Sequence, residues 1–177
     1  ERIQEQKVTQ ALNVSRGSVR EALLILERRH LVTILPRRGA QVTALNEHNV
    51  RSLCTLMSEL YILLGNAVAA SRRSDVELAP FLLIQQRLQA ACAQQDIKAF
   101  VEESFAVMRA AYPFANTPYL QETVENLQPA MSRTYYLALD QRKANMEDFL
   151  VLFAQLLQAV VTSDLARVRE VLTQYCE

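Results

Sequence analysis

Two arginines one helical turn apart, Arg16 and Arg20, stand in the run Val14-Ser15-Arg16-Gly17-Ser18-Val19-Arg20-Glu21-Ala22-Leu23. Arginine forks onto guanine O6 and N7 or holds phosphate oxygens, so long donors near the start of a helix suit a DNA major groove. Ser15 is placed to cap that helix. Val19, Ala22, Leu23 and Leu26 recur at i, i+3, i+4 and i+7 and predict an apolar stripe facing a core, with both arginines off it. The small residues Ser15, Gly17 and Ser18 would let the backbone approach a phosphate. Arg37, Arg38 and Gly39 follow Pro36 in a turn whose cationic tip would reach phosphates or an adjacent minor groove.

The flanking segments supply what would position these residues. An amphipathic stretch from Ile3 to Leu12 precedes Asn13-Val14, which predicts helix, tight turn, helix. After Arg28-Arg29-His30 come the β-rich runs Leu31–Leu35 and Ala40–Thr43, joined by the arginine-bearing turn. Together these make a winged helix-turn-helix. An arginine pair alone fits a solvated helix face, and Pro36–Gly39 alone fits any exposed hairpin turn. Their occurrence in this order favours a DNA-reading head.

At these residues the chain resembles the GntR family of bacterial transcription regulators, whose pattern is similar to V-S-R-x-x-V-R-E-A-L followed by L-V and P-R-R-G-x-x-V. The resemblance covers roughly the first quarter of the sequence. It implies a dimeric, effector-responsive repressor or activator, with Ser15, Arg16, Gly17 and Arg20 on the operator and Gly39 near the minor groove. Ser18 stands where the family usually has proline, in the first helical turn. The chain opens at Glu1 without methionine. A winged domain of this type would supply another helix upstream, packed on Ile3, Val8 and Leu12.

Charge supports a division of labour. The whole chain balances 19 basic against 19 acidic residues, yet residues 1–45 hold eight Lys/Arg against four Asp/Glu. The positive field therefore belongs to the reading head, and the remainder is net acidic. Phe149–Ser163 is an uncharged run of fifteen residues, short for a bilayer and suited to a buried helix, so no membrane segment is expected. Cys54, Cys92 and Cys176 lack metal or redox spacing and fit reduced thiols in a cytoplasmic protein.

From Asn46 onward the apolar period is helical. Asn46 is a cap candidate for a long helix through Val50, Leu53, Leu56, Met57, Leu60, Leu64 and Val68, stopping near Ser71. Ser74-x-x-Glu77 is a capping-box candidate, with Pro80 either kinking the next helix or sitting in its first turn. Further helices fit Asp96–Ala111, Pro118–Lys143, Met146–Thr162 and Asp164–Cys176. The expected fold is mainly α: a winged helix-turn-helix over residues 1–45 and an antiparallel all-α bundle over 46–177.

That bundle resembles the FCD effector domain of the FadR-type GntR branch, on Asn116-Thr117-Pro118-Tyr119-Leu120 and Ala159-Val160-x-x-x-Asp164. Many members hold a divalent metal with one Asp and three His, the first pair as D-x-x-x-H. Aligned here, those positions become Glu102, Ala106, Phe153 and Tyr175. All three imidazoles are lost, so no metal and no cofactor are expected. His30 and His48 are the chain's two histidines, and Glu27-x-x-His30 has half-site spacing without a partner motif. Ala106, Phe153 and Tyr175 would instead wall an apolar, aromatic effector site, with Arg109 near enough to offer charge to an anionic ligand with an apolar body. Aromatics at helical spacing fit plain core equally well.

No Gly-rich phosphate loop, no G-x-S-x-G elbow and no histidine in the helical part support an enzyme. The sequence therefore predicts a cytoplasmic, homodimeric regulator, more a repressor than an activator. It would bind an inverted-repeat operator in double-stranded DNA and respond to a small organic effector. The alternative is a winged-helix adaptor or architectural dimer that senses nothing.

Overall fold

The computed structural model describes residues 1–36, 38–72, 74–141 and 145–175. Arg37, Lys143 and Cys176, all named above, lie outside them. The chain starts with a short strand, β1 (Arg2–Ile3), then α1 (Glu5–Leu12) and α2 (Arg16–Arg28), then β2 (Val32–Leu35) and β3 (Gly39–Val42). The sheet order is β1-β3-β2, antiparallel throughout, with Ile3 opposite Ala40 and Ile34 on the other side of Ala40. The expected first helix from Ile3 is thus shorter. Its first residues supply a third strand to the wing, because Ile3 finds a partner across β3.

A small core of Val19, Leu23, Val32 and Ala40 holds this unit, with Ile3, Val8, Leu26 and Ile34 packed around it. One stripe residue behaves otherwise than predicted: Ala22 is exposed, so α2 buries a narrower face than its spacing suggests. Ser15 caps α2 as expected, its Oγ accepting from Ser18 N at 3.0 Å. Asn13 ends α1 in the left-handed region at φ 51°, where a short polar side chain is tolerated.

The helical part comprises α3 (Glu47–Ser71), a 3-10 turn (Asp75–Leu78), α4 (Ala79–Ala93), α5 (Ile97–Ala115), α6 (Pro118–Asp140), α7 (Met146–Val161) and α8 (Leu165–Tyr175). Asn46 caps α3 by accepting from Asn49 N at 2.8 Å, and Asn145 caps α7 by accepting from Glu147 N at 2.9 Å. The Ser74 capping box is not formed. Ser74 makes no capping bond, and Pro80 lies in the first turn of α4, where its missing N–H costs nothing. Pro113 sits inside α5, which runs four residues beyond the predicted end at Ala111.

Helix α3 is the axis of the bundle. By length and composition it would cross a membrane. Here Met57, Tyr61, Ile62, Leu64 and Val68 instead form the centre of a core shared with α4, α5, α7 and α8. Gly65 lets α8 press against it: a Cβ at that position would stand 2.9 Å from Val168 Cγ1 and 3.1 Å from Leu172 Cδ1.

Candidate nucleic-acid interface and ligand site

The reading head presents its cations on one side of the winged unit. Arg16 and Arg20 are exposed on α2, while the cap Ser15 and the first-turn residues Gly17 and Ser18 are exposed beside them, with the Ser18 N–H held by Ser15. Arg20 is held rather than loose: its Nε donates to Glu5 Oε2 at 2.9 Å across the helix-turn-helix, with the side chain still 69% exposed. The remaining guanidinium donors stay available for a base edge or phosphate.

The wing is braced by a residue that sequence reasoning missed. Arg2 donates through Nε and Nη2 to the Arg38 carbonyl at 3.0 and 2.8 Å, a fork that fixes the turn before Gly39. Gly39 takes φ +83°, and a Cβ there would stand 2.4 Å from the Ile3 carbonyl oxygen. Only glycine satisfies both conditions. Arg38 is exposed, so Arg2, Arg20 and Arg38 line an open cleft of about 640 Å³ between α2 and the wing, opposed by Glu5. Arg2 left no signal in the sequence because its role depends on β1 pairing with β3.

Glu27 is committed elsewhere than the metal half-site its spacing suggested. Its Oε1 accepts from Ile34 N at 2.7 Å and ties α2 to the wing strand. His30 terminates α2 in the left-handed region at φ 57°, exposed.

In the helical part the predicted positions separate into two groups. Phe153 and Tyr175 come together, lining a void of about 30 Å³ with Tyr61, Phe105, Met108 and Tyr135. Ala106 and Arg109 do not join them: Ala106 is half-buried away from the void, and Arg109 is exposed on the outer face of α5. Glu102 is exposed as well. The residues of α5 that line the void are Ser104, Phe105, Val107 and Met108, so the position aligned with the lost histidine, Ala106, does not face it. Among the described residues no cluster of three His, Cys, Asp or Glu could hold a metal ion.

A second void of about 30 Å³ adjoins the first and shares Tyr61, Met108, Phe153 and Leu172. Each holds little more than a water molecule. Toward the surface the first void meets a vestibule of about 280 Å³ between α5, α6, α7 and α8. The rings of Tyr135, Phe149 and Tyr175 line both chambers. Tyr135 and Tyr175 meet edge to face at 5.5 Å, as do Phe149 and Tyr175 at 5.1 Å, and Phe105 stacks on Tyr135 at 5.7 Å.

One polar contact joins this region to the reading head. Arg133, on α6 two residues before Tyr135, donates from Nη1 to the Thr43 carbonyl at 2.7 Å. Thr43 in turn donates its N–H to the Leu31 carbonyl at the base of the wing. Nearby, Asn49 Nδ2 donates to the Ala44 carbonyl at 3.1 Å.

Burial raises the thiol pKa of Cys54 and Cys92, the latter further through Glu147, so neither is poised as a nucleophile. Tyr112 is pushed up to about 12, first by burial and then by the nearby Glu125, against a smaller opposing effect of Arg109.

Comparison with known proteins accords with this geometry. The family of bacterial regulatory proteins named gntR matches residues 1–42, and the FCD domain matches residues 57–177. The HTH-type transcriptional repressor RspR of Escherichia coli K12 is 26% identical over 141 residues, which cover 78% of this chain and 60% of that protein. The HTH-type regulator YdfH of Shigella flexneri aligns with the same 26% identity and coverage. The chain thus spans about 60% of the length of these curated relatives. The solved structure of E. coli McbR/YncC superposes with TM-score 0.77 at 22% identity, covering 99% of this chain and 83% of that one. A GntR-family transcriptional regulator from Pseudomonas syringae pv. tomato DC3000 superposes with TM-score 0.60 at 20% identity, covering 99% and 72%. The matched domains and named relatives are transcription regulators, not enzymes. By both matched domains and by fold, the chain belongs to the GntR family of bacterial regulatory proteins, with an FCD domain as its helical part.

Proposed function

We propose that the chain reads an inverted-repeat operator in double-stranded DNA as a homodimer in the cytoplasm, represses transcription there, and releases DNA when a small organic effector enters the helical part without a metal. The observation that carries the DNA reading is the exposed cationic set of Arg16, Arg20 and Arg38 around the capped first turn of α2. Ser15, Gly17 and Ser18 would seat a phosphate on that turn, Arg16 and Arg20 would enter the major groove, and Arg37, Arg38 and Gly39 would make the wing contact. Repression is favoured by the name of the RspR relative.

Dimerisation is assigned to α3. Its exposed Leu56 and Leu63, 47% and 55% accessible, fall on one stripe with Leu60 and Ala67, which are half-buried. Such a stripe on the longest helix suits a second copy related by a two-fold axis. Leu56→Glu with Leu63→Glu is expected to give a monomer by sedimentation, with operator affinity falling as the two reading heads separate.

For the effector, Phe153 and Tyr175 stay in the proposed site, joined by Phe105, Met108, Tyr135 and Phe149. Ala106 and Arg109 have no place in it, and an anion would find no counter-charge among the described lining residues. The route to DNA would run from Tyr135 along about half a turn of α6 to Arg133 and Thr43. A second reading, an adaptor dimer that senses nothing, is favoured by the water-sized inner voids. Native mass spectrometry of the purified protein separates the two. A retained organic molecule whose removal changes operator affinity supports the sensor, and an empty protein whose DNA binding no small-molecule extract alters supports the adaptor. Stoichiometric zinc, nickel or manganese whose chelation abolishes the response would reject the metal-free site.

A further inference from the structure

We propose that the effector taken by the vestibule is a small organic cation, an amine or quaternary ammonium carried on an apolar body; this rests on the reading of the helical part as a sensor. Two kinds of surface meet in that chamber. Tyr135, Phe149, Tyr175 and Phe100 supply aromatic rings, and Phe100 meets Phe149 edge to face at 5.2 Å. Rings tilted against one another around a space are the arrangement that receives an ammonium group, because each ring face carries negative charge density. Asp148 is the one charged residue among the described lining residues, and it is a carboxylate.

Among the neutral polar groups, Ser104 agrees with this sign, while the Asn145 and Gln174 amides favour neither charge. Ser104 spends its hydroxyl proton on the Val101 carbonyl at 2.7 Å, which leaves its oxygen as an acceptor. Asn145 Oδ1 is taken by Glu147 N, and Gln174 offers an exposed amide. The amide end of α7 also points its partial positive charge at this region. That half charge is outweighed by Glu147 and Asp148, both in the first turn. An anion would meet the Asp148 carboxylate, whereas an ammonium would meet that carboxylate, the Ser104 oxygen and the ring faces. The apolar body would lie against Leu139, Leu152 and Phe149.

The chain has no tryptophan, and Tyr135 and Tyr175 are two of the six tyrosines whose emission can respond to a ligand. The intact protein is titrated with benzyltrimethylammonium, benzyl alcohol and phenylacetate, read by tyrosine fluorescence and calorimetry. Saturable binding of the ammonium alone, or at least about tenfold tighter than the other two, is expected. Asp148→Asn, at an exposed position, should weaken the ammonium about tenfold and leave benzyl alcohol unchanged. Phe149→Leu should weaken it too while retaining the apolar volume. Saturable binding of the alcohol or the carboxylate in preference, sensitive to Phe149→Leu, would overturn the cation assignment and leave the sensor reading standing. Saturable binding of none of the three would overturn the vestibule as a cation site, while the mass-spectrometric test of retained ligand decides the sensor reading separately.

Discussion

Replacing Gly17 by alanine separates a structural role from a DNA-contact role, because its two expected effects have opposite signs. Gly17 lies in the first turn of α2, and a Cβ there would meet only Ser15 Oγ, at an unstrained 3.6 Å. Alanine in a helix is favoured over glycine by roughly 0.5–1 kcal/mol, at the lower end in a first turn. The free protein should therefore become slightly more stable. On DNA the methyl group would stand between the α2 amides and a phosphate, and losing one charge-assisted hydrogen bond costs about 1.5–3 kcal/mol. That is roughly tenfold to hundredfold in affinity. Gly39→Ala is the control with one sign throughout. Its left-handed φ costs roughly 1–2 kcal/mol for alanine, and its Cβ would meet the Ile3 carbonyl oxygen at 2.4 Å, which forces β1 off β3. Its stability and its operator affinity should fall together. Chemical denaturation and fluorescence anisotropy on an operator duplex measure both quantities. Unchanged operator affinity in Gly17→Ala would refute the placement of the α2 N-terminus on the backbone of DNA.

Arg20→Ala should cost on the order of 1–3 kcal/mol on the operator and relax sequence preference, whereas Arg38→Ala should weaken all sequences alike and lower the salt dependence, as titrations at several salt concentrations would show. Arg133→Ala removes the 2.7 Å contact with Thr43; effector binding by calorimetry should persist while ligand-induced release from DNA is lost, and intact release would discount that link. Gly65→Ala should lower the unfolding midpoint, since crowding Val168 and Leu172 costs about 1–3 kcal/mol against a helix gain of about 1 kcal/mol; a higher midpoint would contradict the close approach of α8. Tyr112 holds its proton up to about 12 in the folded chain, against the ordinary tyrosine value of 10.0 once unfolded. Its contribution to stability should be complete below pH 10 and decline as pH rises through 12, a loss that Tyr112→Phe should abolish in alkaline unfolding curves.

Most of the winged unit was legible because its instructions are local. Ser15 as a cap, Asn46 as a cap, the order of helix, turn, helix and hairpin, and the exposed arginines all follow from residues within a few positions of one another. The helices of the bundle were legible for the same reason, from apolar spacing. What sequence could not determine was rotation and partnership. Ala22 carries the right spacing but the sheet is too small to cover it, so only Val19 and Leu23 are buried. Arg2 braces the wing across 36 residues, and Arg133 reaches Thr43 across 90. The proposed effector site shows the limit most clearly. A five-residue motif sets Glu102 and Ala106 one turn apart, yet which face of α5 looks inward is decided by packing against α4, α3 and α6. A shift of one residue along a helix turns a side chain by about a quarter of a circle, and that turn places Ser104, Phe105 and Met108 inside and leaves Arg109 in water.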